Sequence, residues 1–196
     1  MSNYIEPISG FEINTLTLFN LYERYKSKQI QPYSVWLQRL KQESKWSAKD
    51  WFKARSYLFR LFSSGKTSKS IFTVVKIQLL IQRLNDQVNS LSPEGVKGNI
   101  FQMMIKDLEK MTQEGCRYVL LDGQNRLEYA IKRFFENDLP FYLSNTITKQ
   151  NKSISFIRSD KKYTKEQFSY KDLSSDEKSL VEDIEVIFSV GDEGDI

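Results

Sequence analysis

The stretch from Tyr118 to Phe135 narrows the choice of folds most. Tyr118-Val119-Leu120-Leu121 is a short apolar run of strand length, and it passes without a linker into Asp122-Gly123. From Arg126 onward, Leu127, Ala130, Ile131, Phe134 and Phe135 recur at helical spacing. The sequence therefore predicts a buried strand, a tight turn and an amphipathic helix in direct succession. Asp138-Leu139-Pro140 ends that helix, and Phe141 to Thr146 reads as a further strand.

The same change of period recurs along the chain. Phe11-Glu12-Ile13 alternate as a short strand. Asn14 or Thr15 is the expected cap of a helix running to about Lys26, with Leu16, Phe19, Leu21 and Tyr22 as its apolar positions. An extended segment follows with Pro32 and the polar pair Gln38-Arg39. Ser47 followed by Asp50 reads as a variant capping box, opening a helix that buries Trp51, Ala54, Tyr57, Leu58, Leu61 and Phe62 and stops at Gly65. The β-branched run Ile71 to Val75 predicts a strand. Ile77, Leu80, Ile81, Leu84 and Val88 then fall at helical spacing, as do Phe101, Met104, Ile105, Leu108 and Met111 after a start between Ser92-Pro93 and Asn99. Ile154, Phe156 and Ile157 suggest a short strand in a lysine-rich hairpin. Ser174 and Glu177 form a capping box, and Ile184 to Val190 is a strand. Mixed helices and strands argue for an α+β fold over residues 1–190, with 191–196 as an acidic tail.

Composition removes several chemistries. The chain of 196 residues contains no histidine, which excludes Ser-His-Asp and Cys-His catalysis, histidine-dependent zinc sites and HNH-type nuclease chemistry within it. Its one cysteine, Cys116, has no disulfide partner and no metal-ligand companions, and reads as a small semi-buried apolar residue. Met1 to Gly10 lacks the basic and apolar parts of a signal peptide, and no run is long enough to span a bilayer, so a cytoplasmic location without membrane contact is expected. Charge is uneven. Residues 1–110 hold 17 basic and 9 acidic side chains, and residues 111–196 hold 12 and 16. The basic half suits nucleic acid or nucleotide phosphates; its alternative is a solvated lysine-rich surface.

Ser64-Gly65-Lys66-Thr67 imitates the end of a Walker A loop. Such a loop needs glycine where Arg60 stands, and it should follow a strand and open a helix. Here the expected order is the reverse, so the tetrad is not read as a P-loop.

Asp122-Gly123-Gln124-Asn125-Arg126 is the candidate site. A helix N-terminus exposes unpaired N–H groups and favours anions. Gly123 lets the backbone turn sharply and approach a ligand closely. Arg126 offers a planar fork to phosphate oxygens, and Gln124 and Asn125 supply amides that donate and accept. Asp122 is the residue able to hold a magnesium ion or to orient an attacking water. The competing explanation is an ordinary Asp-Gly turn with a solvated arginine.

The motif and its flanks resemble the N-terminal domain of GmrSD-type, modification-dependent restriction proteins, which carry an Asp-Gly-Gln-Gln-Arg signature. Beyond Asp122 to Leu127, the similarity takes in Ile30-Gln31-Pro32 with Gln38-Arg39 and Trp46-Ser47, the helix ending at Gly65, the strand at 71–75, and Asp172-Leu173-Ser174 through Ile187. The resemblance implies a ParB/sulfiredoxin-like fold: a small mixed sheet with surrounding helices. It implies binding of a nucleoside triphosphate, hydrolysed in some members, and a role in sensing or restricting foreign DNA. It places Asp122 and Arg126 as catalytic groups, Gln38, Arg39, Gly123, Gln124, Asn125 and Arg126 at the nucleotide, and magnesium at Asp122. DNA and a separate effector or nuclease subunit are the further partners it suggests.

Three departures stand out. Asn125 replaces the usual glutamine or histidine. The helical stretch 77–113 exceeds the usual spacer and reads as an insertion, a candidate lid or partner surface. Family members continue after the closing strand into a helical region and often an HNH nuclease, so the sequence reads as a fragment, a stand-alone sensor or one subunit of a split system. A nucleotide hydrolase that gates defence, a non-catalytic ParB-like regulator that binds DNA or nucleotide, and a protein-interaction domain all remain open on this reading.

Overall fold

The structure, a computed structural model, describes residues 11–32, 51–63, 67–90, 96–139, 147–148, 153–154 and 169–191. The chain runs β1 (Phe11–Thr17), α1 (Leu18–Lys26), β2 (Ile30–Pro32), α2 (Trp51–Ser63), β3 (Thr67–Lys76), α3 (Ile77–Ser90), α4 (Val96–Gln113) and β4 (Tyr118–Asp122). The helix α5 follows over residues 124–135, with a π-helical middle at Leu127–Lys132. Then come β5 (Ile147–Thr148), β6 (Ser153–Ile154), a 3₁₀ turn (Tyr170–Asp172), α6 (Ser175–Glu182) and β7 (Glu185–Gly191).

Five strands form one mixed sheet in the order β1-β7-β3-β4-β2. The β1–β7 and β3–β4 pairs are antiparallel, and β7–β3 and β4–β2 are parallel. The fold is therefore α+β, with helices on both faces of the sheet.

Strand alternation divides the apolar residues between those faces. Phe72, Val74, Leu120, Val186, Phe188 and Val190 point to a larger core shared with α1, α2, α5 and α6. Val75 and Val119 point the other way, into a smaller core with Ile77, Leu80, Leu84, Met104, Leu108 and Cys116. The stretch expected to be an insertion is thus a helical hairpin, α3–α4, that covers the second face of the sheet. Cys116 is buried there, its thiol pKa pushed up by desolvation, as expected of a small apolar residue.

Local signals held in places and shifted in others. Ser174 caps α6: its hydroxyl accepts from the Glu177 amide at 3.3 Å, and the Glu177 carboxylate accepts from the Ser174 amide at 2.8 Å. The start of α1 differs from expectation. Neither Asn14 nor Thr15 caps it; Thr17 does, accepting from the Asn20 amide at 3.2 Å. Both earlier residues are drawn into β1 by pairing with Phe188 and Ile187 of β7, because ladder hydrogen bonds outweigh a weak capping preference. α4 starts at Val96, and α5 starts at Gln124 rather than Arg126. Gly191 is not tail: it pairs with Phe11 and Val75 at the end of β7. β5 and β6 pair as a short antiparallel ladder, which places Ile154 in a strand as read; Phe156 and Ile157 lie outside the described residues. So do Ser47 and Asp50, the strand expected at 141–146, and Gly65. α2 ends at Ser63 and β3 begins at Thr67, so the Walker-like tetrad follows a helix and precedes a strand.

Candidate functional site

The site grows from one glycine. Gly123 has φ 100° and ψ 2°, the left-handed region that side-chain-bearing residues avoid. A Cβ built there would lie 2.5 and 2.9 Å from two ring carbons of Phe72 and 3.4 Å from Arg126 Nη2. Phe72 is fully buried in the larger core and cannot swing away. Glycine is therefore required twice, by conformation and by space.

The neighbouring ladder re-aims the end of β4. Thr73 pairs with Asp122 and Val74 with Leu120, so Leu121 falls out of register as a bulge. Bulges bend a strand and redirect the next side chain. Here they turn Asp122 outward, to 57% side-chain exposure.

Arg126 lies one turn along the helix and reaches back. Its Nη2 donates to Asp122 Oδ2 at 2.8 Å, and its guanidinium sits 5.0 Å from the centre of the Phe72 ring. Its side chain is 24% exposed. The arginine is thus oriented by a carboxylate and an aromatic face while one side still meets solvent.

The helix N-terminus has no side-chain cap; the first i→i−4 bond runs from the Leu127 amide to the Gly123 carbonyl at 2.9 Å. Gln124, Asn125 and Arg126 form the first turn ahead of that bond, and the N-terminal turn of a helix is where anions are commonly held. Gln124 and Asn125 are half-buried in this first turn.

Two nearby groups were not singled out by sequence reading. Tyr57 of α2 donates to Ser70 Oγ of β3 at 3.0 Å. Burial raises the Tyr57 pKa, opposed by that hydrogen bond and by the fields of Arg126 and Arg60. Tyr57 was legible as a core-facing helix residue, but its approach to Arg126 depends on long-range packing.

The site residues expected from sequence fall into two groups. Asp122, Gly123, Gln124, Asn125 and Arg126 come together in the β4–α5 turn. Gln38 and Arg39 lie outside the described residues. Asp122, the expected magnesium ligand, has its Oδ2 engaged by Arg126; among the described residues no group of three or more His, Cys, Asp or Glu side chains is placed to hold a metal ion. Among the described residues no helix is long and apolar enough to cross a membrane.

Comparisons with protein-family models, with curated proteins and with solved structures return no match for this chain.

Proposed function

We propose that this chain is a nucleotide-binding sensor domain that takes the phosphates of a nucleoside triphosphate at the β4–α5 turn. The observation that supports it is Arg126, held over Phe72 beside a helix N-terminus without a side-chain cap. A phosphate there would accept from the first-turn amides and compete with Asp122 for the guanidinium. Asp122, released from its ion pair, would be free to orient a water for hydrolysis. Resemblance to the Asp-Gly-Gln-Gln-Arg restriction proteins extends the reading to a ParB/sulfiredoxin-like fold and a role in anti-phage defence. The nuclease would be supplied from outside this histidine-free sequence.

A second reading is binding without hydrolysis, as in a ParB-like regulator of DNA or nucleotide. It is favoured by the engagement of Asp122 with Arg126.

The first test is thermal unfolding with each of the four ribonucleoside triphosphates and magnesium, for the wild type and Arg126→Ala. A ligand present at 100 times its Kd stabilises the folded state by about 2.7 kcal/mol. The expected result is a raised melting temperature with at least one nucleotide, lost in the variant. No shift with any nucleotide at millimolar concentration would overturn the proposal. If binding is seen, phosphate release by Asp122→Asn separates the readings: hydrolysis lost in the variant supports the enzyme, and no hydrolysis by the wild type supports the regulator.

A further inference from the structure

The far end of α5 builds a second feature, unrelated to the motif. The C-terminal end of α1, the start of β2 and the last turn of α5 enclose a groove of about 320 Å³. That lies at the lower end of small-molecule sites, which run about 300–1,000 Å³. It is separated from Gln124 by about 12 Å of helix, taking 1.5 Å per residue.

Three lysines converge on this groove: Lys26 at the end of α1, Lys28 in the turn that follows it, and Lys132 on α5. Lys26 lies 3.8 Å from Glu23 and Lys28 3.2 Å from Glu114, both as exposed pairs that contribute little. Lys132 has no ion-pair partner among the described residues, and its side chain is half-buried. The polar lining is completed by Tyr25, Gln31 and the single carboxylate Glu136. The Tyr25 hydroxyl, raised to about 12 by burial and by Glu128 and Glu136, stays protonated and able to donate at neutral pH.

The backbone at Lys28 closes α1 with a left-handed residue, as Asn137 does after α5. The Lys28 φ is 63°, where glycine or asparagine is the unstrained choice after a helix. This turn brings Lys28 to the groove while its amide donates to the Tyr25 carbonyl at 3.0 Å.

We propose that this groove is a second ligand site, for a small phosphate monoester that also carries hydroxyl or amino donors, such as a sugar phosphate or a nucleoside monophosphate. Lysines supply point charges to the phosphate. Glu136 accepts from the donors and repels a continuous polyanion. A groove of about 320 Å³ suits one small molecule better than a strand of nucleic acid. The inference does not rest on the reading of the Asp122 turn.

The test is a two-dimensional amide NMR titration of the full chain with inorganic phosphate, ribose 5-phosphate, AMP and a single-stranded DNA dodecamer. Saturable shifts at Lys28, Gln31, Lys132 and Glu136 are expected with ribose 5-phosphate or AMP, and weaker ones with phosphate alone. Binding should weaken about tenfold or more in Lys132→Ala and in Lys28→Gly, each losing a charge-assisted contact, and persist in Arg126→Ala. Lys28→Gly relieves backbone strain, so loss of binding in that variant is not loss of folding. AMP tighter than ribose 5-phosphate identifies a nucleotide, and equal affinities identify a sugar phosphate. Four outcomes would overturn the proposal: no saturation by either ester at millimolar concentration, phosphate bound as tightly as the esters, the dodecamer bound more tightly than either, or loss of ester binding in Arg126→Ala.

Discussion

At the first turn of α5 a cation is held twice, by the Asp122 carboxylate and by the Phe72 ring, whereas at the last turn Lys132 has no ion-pair partner among the described residues. The first arrangement fixes a planar guanidinium beside the N-terminal turn of a helix. The second leaves an ammonium beside two others, at the end of α1 and in the turn after it. A fixed fork suits recognition of one geometry, and a ring of mobile point charges suits an anion of more variable shape. Charge alone does not distinguish the two ends; what each charge is packed against does.

The packing side of that contrast is the easiest to break. Phe72→Ala removes a fully buried ring from beneath Gly123 and Arg126, and should destabilise the fold by about 3–5 kcal/mol. A urea midpoint shifted by the equivalent of less than 1 kcal/mol would mean that the ring does not support the turn. Gly123→Ala combines a positive φ with a clash against that ring, for a loss of about 2–5 kcal/mol. Wild-type stability in that variant would show that the turn relaxes freely. Arg126→Ala forfeits an exposed ion pair and a cation–π contact, about 1 kcal/mol together, while abolishing any nucleotide-dependent stabilisation. Retained stabilisation would move the nucleotide elsewhere. Lys132→Ala should change stability by no more than about 0.5 kcal/mol, because among the described residues the side chain has no ion-pair partner. A larger loss by the same denaturation would make Lys132 structural and erase the contrast between the two ends.

Much of the local structure was readable in advance. The strand at Tyr118–Asp122, the helix beyond it and the capping box at Ser174 and Glu177 rest on short-range rules, and each appears. The five motif residues were also placed correctly at the junction, since a strand run meeting Asp-Gly and a helical period leaves little freedom there. The start of α1 was misplaced because β1 continues through Thr17 only by pairing with β7, more than 160 residues away in sequence. The π-helical middle of α5 and the left-handed Lys28 carried no recognised signal.

Residue identity and spacing were enough to establish an α+β chain, a strand–turn–helix at Asp122, and the exclusion of histidine chemistry. Those are matters of covalent composition and of interactions within a few residues. The strand order, the use of α3–α4 to cover the second face, the ring beneath Gly123 and the meeting of three lysines at the far end of α5 came only from the folded chain. Each depends on contacts between segments distant in sequence, and these are selected by burial of the whole core rather than by any local preference.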